Sequence, residues 1–211
     1  EFVPKVALTS GNLAVYHDNL NNHELAEKDY AKALKIYRKL AKKNPNMFEP
    51  KVALTLGNLA LYHKNLKNYD LAEKESNKAL KIYRNFAEKN PEKFLPKVAL
   101  ILGNLANLHR DSLKYDLAEQ EYAEALASFR KLAENNPDAY LNDILRNTEN
   151  LATMHKNLRN YDLAEQAYDE SLNICRNLAQ EQPKEFMPKV ASCLRKLATL
   201  HHHTQKNDYA E

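Results

Sequence analysis

Asn12, Asn58, Asn104 and Asn150 recur at a constant step of 46 residues. A side-chain amide offers both a donor and an acceptor, the same pair that the main chain of a peptide displays. A row of such amides suits contact with an extended backbone and tolerates varied side chains. Asparagine is a mediocre helix former, so four copies need a reason. One reason is ligand contact. The other is inheritance by duplication, with the amide bonded to a neighbouring helix. All 3 glycines, Gly11, Gly57 and Gly103, directly precede these asparagines. Glycine inside a helix costs roughly 0.5–1 kcal/mol relative to alanine, which calls for close approach by either a ligand or a neighbouring helix. Leu8, Leu54 and Leu100, with Val15 and Leu61, fall near the same face at helical spacing. They are candidates for an apolar floor, although leucines so placed also serve as core. Lys64, Arg110 and Lys156, with Asp18 in the first copy, stand one further turn along. Lys196, Arg146 and Ser192 change the pattern in later copies, so this face grows more polar towards the end.

Other chemistry is excluded by spacing. His17, His63, His109, His155 and His201 also repeat every 46 residues. Each is therefore a whole helix pair from the next, whereas zinc needs ligands within about 2.0–2.3 Å of one ion. They read as packed or groove-edge imidazoles, and the run His201-His202-His203 points around a helix. Cys175 and Cys193 form no metal-ligand spacing and read as small apolar fillers in a reducing, cytoplasmic setting. No Gly-rich phosphate loop, nucleophile elbow or HExxH is present, so no enzyme activity, cofactor or metal is expected.

The chain of 211 residues is 44% hydrophobic and 28% charged with only 3 glycines, a profile of a helix-rich soluble protein rather than a disordered one. No apolar run approaches the ~18 residues of a membrane span. Charge is unevenly spread. Residues 4–49 carry eight Lys/Arg against five Asp/Glu, and 50–95 carry nine against five. Residues 96–141 carry five against seven, and 142–187 five against eight. The array is thus basic at its start and acidic in its middle, a field that can orient a charged partner.

The elements that must position these residues are helix pairs. Proline recurs at Pro4, Pro50, Pro96 and Pro188, with Asn142 in the fourth slot. Because proline suits the first helical turn, the first helix of each pair is expected to start there. Residues 1–3 are expected to be the tail of a preceding loop. Repeats then span 4–49, 50–95, 96–141 and 142–187, with a partial fifth at 188–211 ending just inside its second helix. Ala14, Ala60, Ala106, Ala152 and Ala198 suggest close helix–helix approach. A turn such as Asn65-Leu66-Lys67-Asn68 is expected to use asparagine in the left-handed region. Asp70 and Glu73 then make a capping box for the second helix, repeated at Asp116/Glu119 and Asp162/Glu165. Arg38, Arg84, Arg130 and Arg176 recur late in the second helix, where a cation offsets the helix dipole. Asn44-Pro45, Asn90-Pro91 and Asn136-Pro137 stop that helix. A loop with one aromatic (Phe48, Phe94, Tyr140 or Phe186) is expected to follow and to plug the gap between units.

Asn-Leu-Ala late in the first helix, Tyr69-Asp70-Leu71-Ala72-Glu73 and Tyr30-Ala31-Lys32-Ala33-Leu34 together resemble the tetratricopeptide repeat, in its longer, kinesin light chain-like form. The usual tryptophan is replaced by Leu56 or Leu102, and the usual tyrosine by the repeating histidine. The turn glycine is replaced by Asn21, Lys67, Leu113, Arg159 and Gln205. The resemblance implies an all-α, right-handed α-solenoid of stacked antiparallel helix pairs, with first helices lining a concave groove. It implies a protein-interaction scaffold whose asparagines grip a peptide backbone while the Leu/Val positions select side chains. Two alternatives stand beside it: a sensor or oligomerisation arm of a larger multidomain protein, with or without a catalytic domain, and RNA binding through the basic first repeats. The latter is disfavoured, because no base-reading pair varies between copies. Self-association through uncapped array ends is a further expectation.

Overall fold

A computed structural model describes residues 2–208. The described residues form nine helices: α1 Phe2–Asn19, α2 His23–Ala41, α3 Pro45–Asn65, α4 Tyr69–Ala87, α5 Pro91–Asp111, α6 Tyr115–Ala133, α7 Pro137–Asn157, α8 Tyr161–Glu181 and α9 Pro183–Asp208. Odd-numbered helices are the first of each repeat and even-numbered ones the second. The fold is an all-α helical-repeat solenoid. It divides into two compact units, Glu1–Ser112 with α1–α5 and Leu113–Glu211 with α6–α9. In each unit consecutive helices pack in sequence order, and in the first unit α1 also meets α3, and α3 meets α5. Among the described residues no helix is long and apolar enough to cross a membrane.

The junction between repeats differs from the expectation. The first helix begins five residues before the repeating proline, at Pro45 and Pro91, so Pro50 and Pro96 lie inside α3 and α5. α9 likewise begins at Pro183, five residues before Pro188, and Pro4 also lies inside α1. The cause is the Asn-Pro dipeptide itself. Asn44 and Asn90 accept from the amides of Met47 and Lys93, each at 3.2 Å, and the following proline takes N1. One dipeptide both stops a second helix and starts the next first helix. The supposed loop aromatic therefore sits in the opening turn of a helix. There it still fills the step between repeats: Phe48 meets Tyr37, Phe94 meets Tyr83 and Phe86, and Tyr140 meets Phe129, at centroid separations of 5.1–6.5 Å.

The turn inside each repeat also differs. The left-handed residue is the one in the family's glycine slot, with φ of 56° at Asn21, 60° at Lys67, 63° at Leu113 and 62° at Arg159. Neither Asn65 nor Asn68 is left-handed. The second helix has its N-cap at the residue directly before it: Asn22, ahead of His23, accepts from Leu25 N at 3.4 Å, while Asn68, ahead of Tyr69, makes no side-chain cap bond. Asp70 lies in the first turn of α4, so the expected capping box is not formed. In the last repeat α9 runs unbroken past Gln205, where a turn is expected, because no second helix among the described residues draws the chain aside. The expected second helix at Tyr209–Glu211 lies outside the described residues.

Burial follows the repeat. Ala14, Ala106 and Ala152 are fully buried and Ala60 nearly so, where first helices pass their neighbours, whereas Ala198 is exposed. Tyr37, Tyr83, Phe129 and Cys175 share one register of the second helices, and all are buried. Each large side chain so buried contributes on the order of 1.5–3 kcal/mol.

The histidines complete the packing as polar ties. Nδ1 of His17 and of His63 reaches a carboxylate of its own repeat's second helix, Asp29 at 3.1 Å and Glu75 at 2.7 Å. Nε2 of His109, His155 and His201 reaches back to the preceding second helix, to Glu73 at 3.5 Å, Glu119 at 3.8 Å and Glu165 at 2.8 Å. The two ring nitrogens are distinct, so one imidazole can address both flanking helices. His63, His109 and His155 are buried, which makes them packed rather than groove-edge residues.

Two measurements check this account. Each left-handed L-residue is disfavoured by roughly 1–2 kcal/mol, partly offset by glycine's larger chain entropy. Lys67→Gly and Arg159→Gly should therefore each raise stability by about 0.5–1 kcal/mol in urea unfolding. Burial pushes the Glu75 carboxyl above its ordinary 4.5, against the lowering effect of His63, Lys78 and Arg38. A raised folded value gives stability that is full below 4.5 and is lost as pH rises through the folded value. Glu75→Gln should remove that loss, so its stability relative to the parent should increase from acid towards neutral pH.

Candidate functional site

The first-helix face of the first unit gathers most of the predicted residues. Leu8, Gly11, Asn12 and Val15 follow helical spacing on α1, and Leu54, Gly57, Asn58 and Leu61 repeat them on α3. On α5 the series continues as Leu100, Gly103 and Asn104. The leucines are not core: Leu8, Leu54 and Leu100 are 52%, 47% and 43% exposed. Val15 and Leu61 are exposed too, as are Asn12 and Asn58, while Asn104 is half-buried. A shallow cleft of about 50 Å³ between α1 and α3 is walled by Leu8, Asn12, Leu54 and Asn58, with Tyr30 and Tyr37 of α2 beneath. Side chains 46 residues apart are thus brought to one opening.

The glycines divide. A Cβ on Gly57 would lie 2.9 Å from Ile101 Cδ1, so the neighbouring α5 claims that space. A Cβ on Gly11 would meet nothing within 4 Å. One glycine answers helix packing and the other leaves room open beside Asn12.

The basic positions are held by a carboxylate that the sequence reading missed. Lys64 Nζ lies 2.9 Å from Asp111 Oδ2, and Arg110 donates to Asp111 Oδ1 from Nε at 3.1 Å and Nη2 at 2.8 Å. Partial burial pulls the Asp111 carboxyl upward. The bonds from Lys64 and Arg110 outweigh it and hold the group below the usual aspartate value. Asp111 therefore fastens the end of α3 to the end of α5. It falls 47 rather than 46 residues from Lys64, so the repeat offset could not reveal it.

The second unit carries a different face. Asn150 and Lys156 are half-buried on α7. Glu149 stands in the glycine slot, and its Oε1 accepts from Lys196 Nζ at 2.8 Å and lies 3.5 Å from Cys193 Sγ. Lys196 occupies the asparagine slot of α9, so here an ion pair replaces the pattern of glycine and amide. Burial, with Cys175 and Glu149 adding to it, pushes the Cys193 thiol up to about 12, and burial raises Cys175 as well. Both are inert core thiols rather than nucleophiles.

The histidine–carboxylate ties are pairs, and among the described residues no cluster of three or more metal-ligating side chains occurs.

Comparison with known proteins agrees with the repeat geometry. One tetratricopeptide repeat model matches residues 51–131, and a second matches 6–45 and 148–182. No curated protein sequence matches the chain. Among solved structures, BtubC (BKLC) from P. vanneervenii is 20% identical, with 96% of this chain and 82% of that chain covered at a TM-score of 0.67. The apo form of RapI is 18% identical, with 97% of this chain and 66% of that chain covered at a TM-score of 0.65. A putative kinesin light chain from Podosopora anserina with nearly identical TPR-like repeats is 13% identical over 97% of this chain and 99% of that one, at a TM-score of 0.44. At these identities the solved structures speak to the fold, and the two repeat models together span well over half of the residues. The chain belongs to the tetratricopeptide repeat family.

Proposed function

We propose that the first-helix face binds an extended segment of a partner protein. The tetratricopeptide fold is in general a protein-interaction scaffold, and the finer assignment of a groove rests on this chain's own surface. The observation that carries it is the exposed column of Leu8, Leu54 and Leu100 running beside Asn12 and Asn58. Exposed leucines at a fixed step cost free energy in water unless something covers them, at about 25 cal/mol for each Å² left wet. The neighbouring amides offer donors and acceptors to a main chain. Leucines would take alternate side chains of the ligand, and Asn12, Asn58 and, less openly, Asn104 would hold its backbone. Lys64 and Arg110 act mainly by fixing α3 against α5 through Asp111. Asn150 and Lys156 would serve a separate contact on the second unit.

Peptide-array binding followed by titration of a selected peptide tests this. Asn12→Ala with Asn58→Ala should weaken it by about tenfold, in line with loss of one or two hydrogen bonds, with helicity unchanged by circular dichroism. Equal affinity would remove the groove assignment. Gly11→Ala adds a methyl to open space, so it should stabilise the chain by about 0.5–1 kcal/mol while weakening the same peptide. Gly57→Ala should gain less stability, because Ile101 must rotate away.

A further inference from the structure

A second cleft lies away from that face, between the second helices α2 and α4 with α3 as its floor, and has a volume of about 700 Å³. Its rim carries Lys35, Arg38 and Lys39 from α2, Lys42 at that helix's C-cap and Lys78 from α4, all exposed. Leu34, Leu56 and Leu59 are buried at its base, and Leu71 is exposed at its mouth. Glu27 and Glu75 are the carboxylates in its lining, and Glu75 is already bonded to His63. Five cations against two carboxylates leave the cleft positive.

The equivalent step in the second unit shows what is missing. There Arg130 Nη2 on α6 meets Glu170 Oε1 on α8 at 2.6 Å, a bridge between residues 40 apart in sequence. The same register in the first unit is Arg38 and Lys78, two cations in place of a bridge. In the sequence, the positions one repeat on from Lys39, Lys42 and Lys78 are Asn85, Glu88 and Glu124. The positive cleft therefore belongs to the first step of the array.

We infer that this cleft docks an acidic amphipathic peptide segment of a partner protein, its carboxylates on the lysine and arginine rim and an aliphatic side chain entering above Leu34, Leu56 and Leu59. The aliphatic base favours a peptide over nucleic acid, which binds through aromatic stacking, because the lining holds no Phe, Tyr or Trp and its one imidazole, His63, is buried against Glu75. Glu27 and Glu75 inside the cleft would also repel a phosphate chain. Peptide carboxylates, being separable, can avoid them. The inference does not use the asparagine face.

The test is fluorescence anisotropy of the whole chain with a labelled peptide of alternating aspartate and leucine as probe. Binding should occur, weaken as salt is added, and survive Asn12→Ala with Asn58→Ala. Lys78→Glu should reduce affinity by about tenfold or more. It installs the pair seen at Arg130 and Glu170, so its melting temperature should be kept or raised. Lys39→Gln with Lys42→Gln provides a second variant that leaves the helix packing untouched and should also weaken the probe. Unchanged affinity in both variants overturns the inference. So does tighter binding of a single-stranded oligouridylate that Lys78→Glu abolishes, which would make the cleft a nucleic-acid site. A dimer in sedimentation that Lys78→Glu dissociates would assign it to a second copy of the chain instead.

Discussion

Within each unit the inner first helix, α3 or α7, is held between two second helices, its own and the one before. The small residues at Ala60, Ala106 and Ala152 are buried because a neighbouring helix passes over them. A larger side chain there would overpack the stack, typically at a cost of about 1–3 kcal/mol. The opening-turn aromatics seal one side of that sandwich against Tyr37, Tyr83 and Phe129. The histidines add polar contacts on either side, His63 to Glu75 of its own second helix and His155 towards Glu119 of the preceding one. Burying a polar imidazole is tolerable where a ring nitrogen finds a hydrogen-bond partner, as Nδ1 of His63 does at Glu75. Everything left on the surface, including both candidate binding faces, is what this two-sided burial does not use.

The constant step of 46 residues makes the helix pairs among the described residues legible in the sequence. It also placed Leu8, Leu54, Asn12 and Asn58 on one face correctly, because residues in equal register of parallel neighbours must share a side. The boundaries were less legible. Pro50 has the sequence look of a helix start, yet Pro45 five residues earlier has a better claim, because Asn44 in front of it caps. The place of the turn between Asn65 and Tyr69 is legible, but its left-handed residue is not. Asparagine tolerates positive φ, but the fold puts that conformation at Lys67, Leu113 and Arg159, where the chain must reverse whatever residue is present. Least visible were ties between unlike positions. Arg130 to Glu170 spans 40 residues, Lys64 to Asp111 spans 47, and His155 to Glu119 spans 36. A search by the repeat period passes over all three, since each joins a residue to a different slot of the next or preceding repeat.

The two faces of the first unit differ in what they can recognise. The first-helix face offers amides and separate leucines with few free charges, since Lys64 is engaged by Asp111. Such a surface is suited to a ligand recognised by backbone and shape. The second-helix cleft offers cations around an aliphatic base, so it reads charge and one or two apolar side chains. Electrostatic attraction of that kind speeds encounter and sets selectivity more than it adds affinity. The two modes are complementary, and a partner that engages both would gain from the linkage between them more than either site gives alone.

The absence of a bridge at the first cleft costs the fold little, so the lysine there calls for another account. Arg130 and Glu170 are 51% and 38% exposed, and an ion pair so open to water is worth only about 0–1 kcal/mol. Removing it changes stability little, whereas setting Lys78 opposite Arg38 changes the local potential by two charges of sign. An alteration that is nearly silent in folding and large in field is poorly explained by packing. It is well explained by an anion that occupies the space between α2 and α4, and the aliphatic base beneath those cations gives that anion's apolar neighbour somewhere to go.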